Sequence, residues 1–242
     1  MGITQLLDNF YEQVRPYQSG KPLKMVPGQI AWVPTLFLDK NMTIIDAERA
    51  GREDHKNIKL KFNRLNSNHF RGLGREKLPI PSIRLLPNEE LMAFKAKKRP
   101  CIFISKAEFF LSEEEQKKLT GGKRHHATED YIFVPLYSTH KDDESKGFAP
   151  QFVDRIKHFD YGHFVYMPDC KLRNLETNYP PKEGIARLDR LFVTNPIVPN
   201  VSPTDVKLTD EYFKILIYHL KEYLFQETES ELHDLRECLK PE

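Results

Sequence analysis

Gly184-Ile185-Ala186-Arg187-Leu188-Asp189-Arg190-Leu191-Phe192-Val193 is the stretch on which the reading of this chain turns. Apolar, β-branched and aromatic residues flank a charged centre, which predicts a strand with a polar interior. Residues i and i+2 of a strand share a face about 7 Å apart. Arg187 and Asp189 are therefore expected side by side on a rigid support. A cation and a carboxylate so placed can bind a phosphodiester and take a proton from a nearby hydroxyl. The same pair can equally be a structural ion pair on a half-exposed strand.

Working outward, several other short runs read as strands. Gln29-Ile30-Ala31-Trp32-Val33-Pro34 follows the turn signal Pro27-Gly28, and Cys101-Ile102-Phe103-Ile104-Ser105 follows Lys98-Arg99-Pro100. Tyr131 to Leu136 and His163 to Met167 complete the set. Residues 3–14 place Ile3, Leu6, Leu7, Phe10 and Val14 at helical spacing before Pro16, which predicts an N-terminal helix. Ser112 with Glu115 reads as a capping box for a short helix to Leu119. Thr209 caps a helix whose Phe213, Leu216, Ile217, Leu220 and Leu224 share one face, and a last helix opens near Thr228 with Glu231. Asn41 to Ala50 reads either as a hairpin arm or as a short helix. Gly51 to Arg75 is expected to be an exposed insertion, and Leu78 to Pro81 an extended segment. Pro87 to Leu91 fits a helical turn and a strand alike. The order suggests an α+β domain built on a small antiparallel barrel, with an N-terminal helical extension over 1–25 and a barrel domain over 26–242. That domain would carry an insertion at about 40–95 and C-terminal helices at about 209–240.

Of the 242 residues, 39% are hydrophobic and 30% charged, enough apolar content for a packed core and too much for global disorder. No apolar run approaches the length of about 20 residues that a membrane span needs, and the first residues lack a signal-peptide pattern. The net charge of +2 says little about partners, but its distribution says more. Gly51 to Arg99 holds 13 Lys/Arg against 5 Asp/Glu, whereas acids outnumber bases two to one from Ser202 onward. A basic middle suits a polyanion-binding surface, and equally an ordinary solvated loop. Cys101, Cys170 and Cys238 are odd in number and widely spaced, which argues against a disulfide framework and fits a reducing cytoplasm.

Arg99, next to Pro100 at the mouth of a strand, presents a planar fork suited to phosphate, or simply ends the basic cluster of Lys95, Lys97 and Lys98. Ser138, Thr139 and His140 follow the Tyr131–Leu136 strand, where hydroxyls serve as phosphate donors or as turn residues. The histidines show no metal-ligand spacing, so neither a metal nor a cofactor is expected. His140 and His163 remain an acid–base pair only if the fold joins them. Dinucleotide, Walker-A and nucleophile-elbow signatures are missing.

Taken in order, these segments resemble the MazF/PemK/Kid toxin family. Pro27-Gly28-Gln29-Ile30-Ala31-Trp32-Val33 is similar to its G-D-I-V-W-V opening strand. Lys98-Arg99-Pro100-Cys101-Ile102-Phe103-Ile104-Ser105 is similar to its R-R-P-v-l-v-l-S segment, and Phe133 to Ser138 to its v-x-P-i-T-S strand. Gly184 to Asp189 resembles its G-v-v-R-x-D strand, and Leu208-Thr209-Asp210-Glu211 the start of its C-terminal helix. The resemblance implies an SH3-like barrel, shared with the CcdB gyrase poisons. It also implies a metal-independent endoribonuclease acting on single-stranded RNA, usually a homodimer held in check by an antitoxin. On that basis Arg99 contacts the scissile phosphate, Asp189 takes the 2′-OH proton, Arg187 stabilises the transition state and Ser138 bonds phosphate. Lys97, Lys98, Tyr137 and Thr139 would line the RNA path. Tyr137 stands where the family usually has threonine, and the chain is about twice the usual length. Two other readings follow from the same barrel: a non-catalytic module binding nucleic acid or protein, and a gyrase-directed toxin.

Overall fold

In the segments Cys101–Ile104 and Tyr131–Leu136, alternate apolar residues turn to opposite sides, and both sides are buried. The computed structural model describes residues 2–15, 25–37, 42–48, 59–65, 89–107, 130–140, 147–176, 180–194 and 201–239, with the single residues 114 and 118. The chain divides into two compact units, Met1–Pro34 with Lys98–Glu242, and Thr35–Lys97. The helix expected at 112–119 lies outside the described residues except Glu114 and Lys118, both helical; Leu78–Pro81 lies wholly outside them.

The strands are β1 (Tyr11–Gln13), β2 (Gln29–Phe37), β3 (Thr43–Glu48), β4 (Lys59–Arg64), β5 (Met92–Ala93), β6 (Lys95–Ala107), β7 (Asp130–Ser138), β8 (Phe164–Met167), β9 (Gly184–Arg187), β10 (Phe192–Thr194) and β11 (Ser202–Leu208). The helices are α1 (Pro150–Lys157), α2 (Asp210–Phe225) and α3 (Ser230–Leu239). The main sheet runs β1-β11-β2-β6-β7-β9-β8, with β10 also on β7. The protein is thus α+β with a largely antiparallel sheet. Its pairing is an open path from β1 to β8 among the described residues. In the Thr35–Lys97 unit, β3 lies between β4 and β5, so Asn41–Ala50 resolves as a hairpin arm and part of the expected exposed insertion is strand β4. All six β4 residues are exposed.

One face of the main sheet, with Ile30, Ile102, Ile104, Val134, Leu136 and Val206, packs with Ile156 of α1 and Leu216 and Leu220 of α2. The other holds Ala31, Val33, Cys101, Phe103, Tyr131 and Phe133, joined by Phe192. Cys101 is a fully buried core thiol, and all three cysteines are free. Thr209 caps α2 as expected, accepting from the Tyr212 N–H at 3.3 Å. Among the described residues no helix is long and apolar enough to cross a membrane.

The structure corrects the N-terminal helix. Ile3–Gln5 forms only a single 3-10 turn, and Tyr11–Gln13 is a strand against Val206–Leu208. A helix of that length is marginal in water by itself. The edge of β11 offers ladder bonds, while Phe10 meets Tyr212 edge-on at 4.7 Å and the Tyr11 hydroxyl donates to the Pro168 carbonyl at 2.8 Å. The buried side of α2 is also rotated from the expected one. Tyr212, Ile215 and His219 are buried with Leu216 and Leu220, whereas Leu224 is exposed.

His219 is the unusual member of that face. Its ring packs edge-on against Phe159 at 4.7 Å, and neither ring nitrogen has a hydrogen-bond partner among the described residues. Burial, then the Arg236 charge, push its pKa from 6.5 down to about 3. The unfolded chain thus binds the extra proton between those values, so stability is present above about pH 6.5 and is lost as pH falls towards 3. The expected loss from this group is about 2 kcal/mol between pH 7 and pH 5. Urea unfolding of the wild type and of His219→Leu at both pH values checks this: the variant should lose less stability on acidification, and parallel pH profiles would refute the assignment.

Candidate functional site

The site begins with an interruption. On one edge of β7, Phe192 pairs with Phe133 and Ala186 with Leu136. Five residues therefore separate the pairs on the β9–β10 side, where β7 has only Val134 and Pro135. The surplus of three is taken up by Leu188–Arg190, which coils into one 3-10 turn. Pro135 sits at this gap and has no N–H to offer a neighbouring strand, so the ladder loses least by breaking there. The expected single strand Gly184–Val193 is thus two strand segments around a bulge. Leu188 anchors the bulge in the core, and its N–H donates to the His163 carbonyl at 3.0 Å. At the other end of β9, a Cβ on Gly184 would stand 2.9 Å from the Tyr137 carbonyl, so this close approach requires glycine.

The bulge ends the alternation that would have set Arg187 and Asp189 parallel on one strand face. Instead the Asp189 carboxylate meets the Arg187 guanidinium head-on. Nε donates to Oδ1 at 2.9 Å and Nη2 to Oδ2, while Arg190 Nε lies 3.7 Å from Oδ2. Arg187 is held again by two rings, its Cζ 5.3 Å from the centroid of Tyr137 and 5.4 Å from that of Phe164. Arg99 lies over the Tyr137 ring too, at 4.3 Å. Tyr137 is thus the shared platform of two guanidinium groups drawn from β6 and β9.

Burial acts to raise the Asp189 pKa, but the Arg187 hydrogen bonds and the charges of Arg187, Arg190 and His163 outweigh it and leave the carboxyl below its ordinary value. The hydrogen bonding to Asp189 raises that of Arg187. Side-chain exposures of 22% and 23% leave both groups of the clasp reachable from solvent. Two guanidinium groups, Arg187 and Arg190, thus face the Asp189 carboxylate, and a third, Arg99, shares the Tyr137 ring with Arg187.

Arg99, Tyr137, Arg187 and Asp189 are therefore brought together, and the other expected residues are not part of this stack. Ser138 turns into its own loop: its Oγ donates to the His140 carbonyl at 2.5 Å and accepts from the His140 N–H at 3.2 Å. Thr139 is buried and donates to Glu183 at 2.8 Å. Lys98 Nζ donates to the Ser202 hydroxyl at 2.9 Å. The Lys97 carbonyl accepts from the Thr35 hydroxyl at 2.9 Å within the Thr35–Lys97 unit. His140 lies 3.2 Å from Glu183, whereas His163 packs on Phe164 at 4.0 Å between centroids, so each histidine has its own partners.

Sequence reasoning missed the group around Glu183. Its carboxylate accepts from Tyr166 and Thr139, with Lys157 Nζ at 3.7 Å. Burial acts to raise its pKa, and these hydrogen bonds and charges bring it below normal. The one available signal was its place directly before Gly184. Among the described residues no three or more His, Cys, Asp or Glu side chains are grouped to hold a metal ion. Compared with known protein families, curated proteins and solved structures, the chain matches none.

The Tyr137 platform yields a stability prediction. Tyr137→Leu keeps apolar bulk and removes the ring faces under Arg99 and Arg187, at an expected cost of about 1–2 kcal/mol. Tyr137→Phe should stay within about 0.5 kcal/mol of wild type. Urea midpoints measure both, and equal losses in the two variants would show that the ring does not carry the cations.

Proposed function

We propose that this protein is a metal-independent endoribonuclease with an SH3-like barrel core, binding single-stranded RNA over the Arg99–Tyr137–Arg187 stack. The observation that carries the reading is the convergence of two guanidinium groups from separate strands on one aromatic ring, with a carboxylate clasped to one of them. The four strand segments of the resemblance give support, because they belong to β2, β6, β7 and β9, consecutive neighbours in one sheet. A phosphodiester takes its place against Arg99 and Arg187, and its oxygens compete with Asp189 for the Arg187 fork. The carboxylate so released accepts the 2′-OH proton. The 2′ oxygen attacks phosphorus, the bond to the 5′ oxygen breaks, and that oxygen takes a proton from solvent. The products are a 2′,3′-cyclic phosphate and a 5′-OH. The guanidinium groups stabilise the charge that grows on the phosphoryl oxygens. A homodimer and a protein antitoxin belong to the same reading.

A second reading has one observation in its favour. Both Asp189 oxygens are engaged by Arg187, which weakens the carboxylate as a base and suits a non-catalytic module that binds RNA without cutting it.

Purified protein incubated with a mixed single-stranded RNA pool in EDTA separates them. Cleavage should leave cyclic phosphate ends. Asp189→Asn and Arg187→Ala should each lower the rate by about a hundredfold or more while circular dichroism stays native. Salt-sensitive binding with the RNA intact would replace the nuclease reading by the second one, and absence of binding would end both.

A further inference from the structure

A cleft of about 560 Å³ opens between the turn after α1, the C-terminal end of α2 and Arg236 of α3. That volume is in the range of small-ligand sites, which run from roughly 300 to 1,000 Å³. Its chemistry argues against an anion. Arg236 is spent on Glu222, with Nη1–Oε1 and Nη2–Oε2 both at 2.5 Å, and its Nε donates to the Phe159 carbonyl at 3.1 Å. The Asp160 carboxylate at the rim accepts from Arg155 Nε at 2.8 Å. With each cation matched by a carboxylate, nothing in the cleft attracts phosphate.

What the cleft does offer is ring faces and neutral polar edges. The rings of Tyr223 and His163 lie 6.1 Å apart between centroids, tilted by 40°, and Tyr223 is 37% exposed. Beside them stand the Gln226 carboxamide and the Thr228 hydroxyl, the latter donating to Glu222 at 2.7 Å. Gln226 is held there by its left-handed backbone, φ 60°, which ends α2. Aromatic faces with adaptable donors and acceptors recognise a flat, uncharged heterocycle.

One lining residue of the cleft, His163, is linked by contacts to the guanidinium stack. The backbone carbonyl of His163 holds the Leu188 N–H of the bulge, its ring packs on Phe164, and Phe164 carries Arg187. We propose that this cleft receives one unpaired nucleobase of the RNA whose phosphate lies on Arg99 and Arg187, the base stacking on Tyr223. The inference rests on the RNA-binding reading above and adds to it a base subsite lined by Tyr223 and His163.

The test uses the full chain and fluorescently labelled octaribonucleotides with 2′-O-methyl sugars, which lack the nucleophile and stay intact. Tyr223→Ala should weaken binding about tenfold with the salt dependence unchanged, because it removes a stacking face and no charge. Arg99→Ala should weaken binding and lower the salt slope by about one. Tyr223→Phe, which keeps the ring, should bind like wild type. Abasic replacement along the strand should find one position where the lost base costs the wild type about tenfold and costs Tyr223→Ala nothing. Tyr223→Ala binding like wild type, or losing as much as wild type at every abasic position, overturns the cleft assignment while the Arg99 result leaves the RNA reading standing. A wild type that binds no oligonucleotide overturns both.

Discussion

The central constraint in this protein is that β7 carries two partners along one of its edges. β9 and β10 pair with successive parts of the same strand, and the three residues left over must go somewhere. They coil into the Leu188–Arg190 turn, which Leu188 pins from inside. The consequence is chemical as well as geometric. Once the chain leaves the strand after Arg187, its charged side chains no longer alternate, and the cheapest way to accommodate two half-buried ions is to set them against one another. The Arg187–Asp189 clasp follows, and Tyr137 and Phe164 complete the support of the guanidinium from the neighbouring strands.

That arrangement changes how the charged cluster should be understood. An exposed ion pair contributes little, since water and salt screen it. Here the fork is bidentate, only about a fifth exposed, and set against two rings, so it is more tightly held than a surface pair. Arg99 approaches the same ring from β6 and brings a second cation to the same platform. Tyr137, which stands where the resembled family carries a smaller hydroxyl residue, is what makes this sharing possible: no threonine has a face for two guanidinium groups. The site is accordingly organised around an aromatic platform, and the hydroxyls of Ser138 and Thr139 serve the loop and the Glu183 group instead.

Elements whose signals are local were legible in the sequence. The β2, β6 and β7 segments announced themselves by short apolar runs next to Pro or Gly. The cap of α2 was visible in Thr209, because a hydroxyl three residues ahead of an N–H needs no tertiary help. Segments whose partner lies far along the chain were misread. Residues 3–14 carry a helical spacing, but β11 is about 195 residues away and its open edge wins Tyr11–Gln13 for the sheet. The buried face of α2 was displaced because Tyr212 and His219 are polar at the tip and apolar in bulk, so a hydrophobicity pattern passes over them.

By itself, the sequence determined which residue types carry charge into apolar surroundings, where strands had to lie, and that Arg99, Arg187 and Asp189 were the groups to follow. Only the tertiary structure decided that Arg187 and Asp189 bind each other, that Tyr137 joins Arg99 to Arg187, and that Ser138 turns away. The reason is register: the mismatch between β7 and its two partners is a property of paired strands, counted across the ladder, and no single segment contains it.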